Sequence, residues 1–322
     1  MQAADAAPES VSHDQVGVSL TTPVVQRDPS GVVTLSCATP GATIRYSLDG
    51  SDPGPKTGPY LAPIDVVQGV IKARAFTEDR KQMSELAEAK FEPPPGAPLL
   101  PTTLIPCTQD RDWPIYDWAK RHTEVSRLMQ ERKPTLVFVG DSITQMFGGE
   151  PHDRPQPGNE VWDRHYGKRN TANLGYGYDY VENTLWRLRH GELDGAEAKA
   201  VVILIGTNNM GKNTAQEIAD GVKVICHEVH RRQAQAKLLL MAIFPRGQMP
   251  NATRNKIAET NKLLAGFEGE DNIRFLDIGA KFLEPDGSIT RETMADFLHP
   301  TAKGYETWAE AIEPAIKSAL GE

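Results

Sequence analysis

Long apolar runs are missing from this 322-residue sequence: none approaches the ~20 consecutive residues that cross a bilayer, so no membrane span is expected. Cysteine is scarce. Cys37, Cys107 and Cys226 are too few and too scattered for a disulfide framework or a zinc site, and their odd number leaves at least one thiol unpaired within the chain. No run of lysine or arginine stands out either, and the formal net charge is −8, which argues against nucleic acid and anionic membrane surfaces as partners. A charged start followed by an apolar stretch of ~7–15 residues, the mark of a secretory signal, is also lacking. The small residues of Met1 to Pro8 read instead as the remnant of a leader, so residues 1–13 are set apart and the chain is taken as a secreted or periplasmic protein.

What remains is ordinary globular material, long enough for two domains. Composition changes sharply near residue 93. Before it, Val32–Ser36, Thr43–Leu48 and Val70–Phe76 are short β-rich runs separated by Pro40-Gly41, Asp49-Gly50 and Gln68-Gly69. In the second and third, apolar and polar residues alternate, as in half-buried antiparallel strands. Residues 14–92 are therefore expected to form a small all-β, immunoglobulin-like sandwich. Residues 93–109, opening on Pro93-Pro94-Pro95-Gly96 and holding three further prolines, which have no backbone N–H to donate, are predicted to be a stiff extended linker.

From residue 110 to 322 strands alternate with helices. Leu136–Val139, Thr171–Leu174, Val201–Ile205, Leu238–Phe244 and Ile273–Ile278 are the strand candidates, several of them continuously apolar, as strands covered on both faces are. The clearest helix starts at the capping box Thr214-x-x-Glu217 and carries Ile218, Val222, Ile225 and Val229 on one face. The predicted fold is α/β: a doubly wound parallel sheet of five strands, flavodoxin-like.

Sites in such sheets lie at the carboxyl ends of the strands, and four segments bring capable residues there. Ser142 follows the first strand on Gly140-Asp141, a rigid placement that suits a nucleophile, although Ser and Asp also cap helices. Asn208, in Gly206-Thr207-Asn208-Asn209, is a neutral donor able to hold an oxyanion. Asp296-Phe297-Leu298-His299-Pro300 lets a carboxylate receive the Nδ1–H of an imidazole whose Nε2 faces outward. The glycines of Asn173-Leu174-Gly175-Tyr176-Gly177-Tyr178-Asp179 allow a backbone N–H to approach a substrate oxygen. Two sequences invite other readings. Asp49-Gly50-Ser51-Asp52 lacks the spacing of a calcium loop and reads as a turn. His227-Glu228-Val229-His230 lacks the i, i+4 histidines of a zinc motif, and His230-Arg231-Arg232 reads as a solvated helix end.

Taken in order, Gly-Asp-Ser, Asn-x-Gly-x-Gly, Gly-Thr-Asn-Asn and Asp-x-x-His-Pro resemble the four blocks of the SGNH/GDSL hydrolase superfamily. Within it, Asn183–Leu188, Gly191-Glu192-Leu193 and Pro245-Arg246-Gly247 are similar to the catalytic subunits of platelet-activating-factor acetylhydrolase type and their bacterial relatives. The resemblance covers about residues 112–320. It implies Ser142 as nucleophile and backbone oxyanion donor, Asn208 as side-chain donor, His299 as base and Asp296 as its orienter. Where the family carries an oxyanion glycine, Tyr178 stands before Asp179, so either Tyr178 or, after a one-residue shift, Gly177 would supply the N–H. Ala42–Pro53 with Ile71–Phe76 is similar to the small C-terminal β-domain of chitobiases and hexosaminidases.

These resemblances imply a serine esterase, without metal or cofactor, that removes O-acetyl groups from an acetylated carbohydrate. A lipid or small-ester acetylhydrolase is the alternative, and a non-catalytic carbohydrate-binding protein a third reading. Asp141, Tyr178, Asn209 and Met210 are expected to contact substrate, with Trp162 and Trp186 as further candidate aromatic surfaces, although Trp186 at helical spacing with Leu185 and Leu188 suits a core position better.

Overall fold

The computed structural model describes residues 19–28, 31–65, 68–92, 99–151 and 154–322. The proposed leader remnant and the Pro93–Pro95 run therefore lie outside the described residues.

The N-terminal part has two three-stranded antiparallel sheets. β1 (Val24–Arg27), β2 (Val32–Ser36) and β4 (Ile64–Asp65) form one, and β3 (Thr43–Ser47), β5 (Gly69–Phe76) and β6 (Ala87–Phe91) the other. Their facing residues, Val33, Leu35, Ile44, Tyr46, Ile64, Ile71 and Ala73, close a single buried core between the sheets. The two shortest strands and the edge strand β6 were not legible as strands, because four residues or fewer, or an edge carrying Glu88 and Lys90, show little alternation.

The stretch expected as an extended linker folds where it is described. Thr102–Leu104 makes a 3-10 turn, entered from Pro101 at φ −64°. Proline costs nothing at a helix start, where its missing N–H would have had no partner. Thr103 is fully buried and donates its hydroxyl to Glu217 O at 2.7 Å, which pins the segment to the helix behind it. The β-sheet unit is clamped onto the rest by buried charges: Arg45 and Arg80 reach Asp110 Oδ2 at 3.1 and 2.8 Å.

The C-terminal part is a five-stranded, wholly parallel sheet with helices on both faces. β7 (Leu136–Gly140) lies between β8 (Thr171–Gly175) and β9 (Ala200–Leu204), followed outward by β10 (Lys237–Met241) and β11 (Ile273–Leu276). Each begins within about one residue of its expected position. On one face, α1 (Trp118–Arg132), α4 (Val181–Arg189), α5 (Ala215–Arg232) and α6 (Ala252–Ala265) cover Val137, Val139, Val201 and Ile203. On the other, α3 (Asn159–His165) and α7 (Ala302–Leu320) cover Phe138, Val202 and Leu204. Trp186 is core, as its spacing suggested. Trp162, read as an aromatic surface, is also core: it is 4% exposed and wedged among Phe138, Phe147 and Tyr166. The three cysteines are free thiols. No helix among the described residues is long and apolar enough to cross a membrane.

The chain leaves β7 toward β8 on one side and returns to β9 on the other. This reversal opens a crevice at the carboxyl ends of β7 and β9, where ligands of open parallel sheets bind.

Candidate active site

Ser142 is the first residue of α2 (Ser142–Gln145), a single turn leaving β7. The turn fits only because its neighbours lack side chains. A Cβ at Gly140 would collide with Thr144 Oγ1 and Leu204 O, and one at Gly175 with Gln145 N. The backbone N–H of Ser142 sits in the first turn, where no helical carbonyl can accept it.

The Ser142 hydroxyl lies 2.8 Å from His299 Nε2, and His299 Nδ1 lies 2.7 Å from Asp296 Oδ2. Asp296 Oδ1 accepts from Leu298 N at 3.1 Å and His299 N at 2.8 Å, so the carboxylate fixes both the ring and the backbone that carries it. Partial burial pushes the Asp296 carboxyl up, but the hydrogen bonds from His299 and Leu298 outweigh it and hold the group below the usual range. With Nδ1–H committed to the carboxylate, Nε2 is left as the acceptor facing Ser142. The loop is tethered further by Gly247 N, which donates to Phe297 O at 2.7 Å.

Three groups are candidate oxyanion donors. The first is the Ser142 N–H. The second belongs to Tyr178, which stands in the left-handed region at φ 61°, where glycine is the residue without strain. Its carbonyl accepts from Arg111 Nη2 and Nε at 2.9 and 3.3 Å, while its N–H has no partner among the described residues. Gly177, the alternative donor, is already engaged: its N–H gives to Gln145 Oε1 at 2.8 Å. The third is Asn208. One amide hydrogen goes to Asp179 O at 2.9 Å, which orients the group, and the other has no acceptor among the described residues.

Three expected substrate contacts are structural instead. Asp141 is 1% exposed and caps α2 by accepting from Ile143 N at 2.9 Å. Desolvation pushes its carboxyl up to about 7. Asn209 is fully buried, accepting from Val181 N at 3.0 Å and donating to Glu182 Oε2 and Asn213 Oδ1 at 3.0 and 3.1 Å. Met210 belongs to the apolar core, at 5% exposure. Of that group Tyr178 alone presents its side chain, at 53% exposure.

Beneath the site lies a charged network that sequence reasoning missed. Asp179 receives Trp118 Nε1 and Arg187 Nε at 2.8 Å and Gln109 Nε2 at 3.0 Å; Arg187 also pairs with Glu192, and all three charged groups are fully buried. The guanidinium lies 3.8 Å from the Tyr176 ring centroid. This network holds the loop that carries Tyr178. Its one sequence signal is an arginine set between Trp186 and Leu188. Arg246, after β10, grips Thr207 through its carbonyl and hydroxyl, both at 3.3 Å, and steadies the Asn208 loop.

A serine, a histidine and a carboxylate in one hydrogen-bonded line at the switch point of a parallel sheet are arranged as serine-type ester hydrolysis requires. Residues 138–307 match the GDSL-like lipase/acylhydrolase family, and the chain belongs to it: it is a carboxylic ester hydrolase. Residues 28–88 match the chitobiase/beta-hexosaminidase C-terminal domain. The chain is 34% identical over 206 residues to platelet-activating factor acetylhydrolase IB subunit alpha2 of Rattus norvegicus and of Homo sapiens, covering 64% of this chain and 86% of each relative. In fold it is similar to a GDSL-like lipase from Bacteroides thetaiotaomicron (TM-score 0.52, 18% identity, 64% of this chain and 100% of that one). A putative acylhydrolase from Bacteroides fragilis is alike to the same degree (0.51, 20%, 64% and 99%).

Proposed function

We propose that this chain removes O-acetyl groups from carbohydrates through an acyl-enzyme on Ser142. The observation that carries the chemistry is the continuous line from Asp296 Oδ2 through the His299 ring to Ser142 Oγ, with both links under 3 Å. His299 Nε2 takes the hydroxyl proton as Oγ attacks the ester carbon. The resulting oxyanion is held by the N–H groups of Ser142 and Tyr178 and by the free hydrogen of Asn208. His299 then protonates the departing sugar oxygen, and water repeats the sequence in reverse to release acetate.

Two observations support the substrate class. The acetyl group is the acyl unit that the named relatives remove. The N-terminal unit matches a domain of carbohydrate-cleaving enzymes, and sugar chains borne on polysaccharides are met outside the cytoplasm, so an exported location goes with this reading. The 34% identity to an acetylhydrolase of a lipid mediator favours the second reading, a lipid acetyl ester. Acetate release from acetylated xylan, compared with release from an acetylated phospholipid, separates the two. Turnover of p-nitrophenyl acetate should fall by about 10⁴ or more in Ser142→Ala; undiminished turnover would end the serine-esterase proposal.

A further inference from the structure

The Tyr178 N–H shares a peptide unit with the Gly177 carbonyl, and that carbonyl is gripped twice. Gln109 Nε2 and the Tyr116 hydroxyl each donate to it at 2.9 Å, and both side chains are buried. The peptide is trans, so its N–H points opposite to its C=O. Two buried donors on the oxygen therefore turn the Tyr178 N–H away from themselves, and there it has no partner among the described residues. They also polarise the amide, which makes its N–H a stronger donor.

The next carbonyl along, Tyr178 O, is held by Arg111 Nη2 at 2.9 Å, which fixes the far side of a residue kept at φ 61°. The same loop is bonded into the reaction centre. Gly177 N donates to Gln145 Oε1 at 2.8 Å on the nucleophile turn, and Asn208 Nδ2 donates to Asp179 O at 2.9 Å. Tyr178 thus stands between a residue tied to α2 and one tied to Asn208. Its three holders, Gln109, Arg111 and Tyr116, come from one short segment outside the matched residues 138–307.

That segment is anchored from behind by the β-sheet unit. Gln109 pairs with Thr57 in an antiparallel bridge, and Thr108 Oγ1 donates to Pro59 O at 2.6 Å. Asp110, set between two of the holding residues, turns its carboxylate to Arg45 and Arg80 at 3.1 and 2.8 Å. Contacts alternate along the chain as the side chains of an extended backbone do: Thr108 and Asp110 face the β-sheet unit, Gln109 and Arg111 the oxyanion loop. Within this segment, Gln109 Oε1 also accepts from Arg111 N at 2.7 Å.

We infer that Gln109, Arg111 and Tyr116 are positioning residues for the oxyanion donor, and that the β-sheet unit serves ester hydrolysis by holding the segment that carries them. This rests on the serine-esterase reading with Tyr178 N–H as a donor, and adds what aims that donor. A unit that acted only by gathering substrate would change KM for the ligand it gathers. A unit that aims an oxyanion donor changes kcat for any ester, however small, because the contact it controls is made only as the tetrahedral intermediate forms.

The test uses the full chain with Tyr116→Phe, which deletes one donor to Gly177 O, and Arg80→Met, which removes one cation from Asp110 and leaves Arg45 to pair it. Each is read by p-nitrophenyl acetate turnover and by inhibition with a trifluoromethyl ketone, which forms a hemiketal oxyanion on a reactive serine. Rates are counted per serine titrated with a fluorophosphonate, so unfolded protein does not enter. Each variant is expected to lower kcat by about threefold to tenfold, keep KM within about twofold, and weaken the ketone by the same factor as kcat. A merely structural role would lower the titrated fraction and leave kcat per titrated serine at the wild-type value; that result in both variants would overturn the inference. Lowered kcat with unchanged ketone affinity would overturn it too. Loss in Tyr116→Phe with none in Arg80→Met would overturn the role assigned to the β-sheet unit. Absence of turnover in the wild type, or full turnover in Ser142→Ala, would instead overturn the esterase reading beneath it.

Discussion

Replacing Asp296 by asparagine and by alanine should give opposite orders of activity and stability, and the reason lies in two backbone N–H groups. Asp296 Oδ1 accepts from Leu298 N and His299 N, and only Oδ2 faces the ring. In Asp296→Asn the amide oxygen must stay on the two backbone donors, so the NH₂ group turns to His299 Nδ1. The ring then carries its proton on Nε2 and donates to Ser142 rather than accepting from it. A buried counterpart in serine proteases loses ~10⁴ in kcat on this change. The Asp296 side chain is 55% exposed, so water competes for the ring and a loss of about 10²–10³ is expected. Alanine imposes no tautomer; water can accept the Nδ1 proton, and the loss should be smaller, about 10–10². Stability runs the other way. Alanine strands two partly exposed N–H groups at roughly 1 kcal/mol, whereas asparagine keeps their acceptor. The wild-type carboxyl, held below its ordinary pKa, contributes stability that is complete above the unfolded value near 4 and is lost as pH falls through the folded one. Steady-state kcat on p-nitrophenyl acetate beside thermal melting at pH 7 reads both orders. Asparagine more active than alanine would refute the reasoning.

Asn208 and Asn209 are adjacent and should fail in different assays. Asn208→Ala removes an oxyanion donor and is expected to lower kcat by about 10²–10³ with little change in melting temperature. Asn209→Ala leaves Val181 N, Glu182 and Asn213 without a buried partner and should cost about 2–4 kcal/mol in denaturant unfolding, with kcat of the folded fraction retained. Asp141→Asn probes a carboxyl raised to about 7 by burial. The folded state holds that proton more tightly than the unfolded one, so wild-type stability should decline from pH 4 to 7 and level off above, by up to about 4 kcal/mol. The asparagine variant keeps the cap acceptor and should lack that decline; a stability difference that is flat between pH 5 and 9 would count against the assignment.

The hydrogen-bonded line of Ser142, His299 and Asp296 was legible because its parts are short and local. A glycine turn, a following serine and a strand before them occupy seven residues, and Asp296 and His299 need only a three-residue reach. Parallel strands then bring such loops to one edge without further instruction. The ambiguity over Gly177 and Tyr178 was not resolvable from sequence, since it turns on a hydrogen bond from Gly177 to Gln145, 32 residues away. The same distance in sequence misplaced Asn209, Met210 and Trp162. Asn209 is polar and Trp162 aromatic enough to suit a pocket, and Met210 flexible enough, but each is claimed by partners from other elements.

The seam between the two units was the least legible part, for a related reason. Arg45, Arg80 and Asp110 sit in segments whose composition reads as solvent-facing, and a proline-rich stretch separates the first two from the third. Charges are left at a surface unless something neutralises them, and here the partners are up to 65 residues apart. Once paired, they are buried, and removing one would strand the others in a low-dielectric site at about 3–5 kcal/mol. A docking surface of that kind keeps its charges paired at one relative position of the two units.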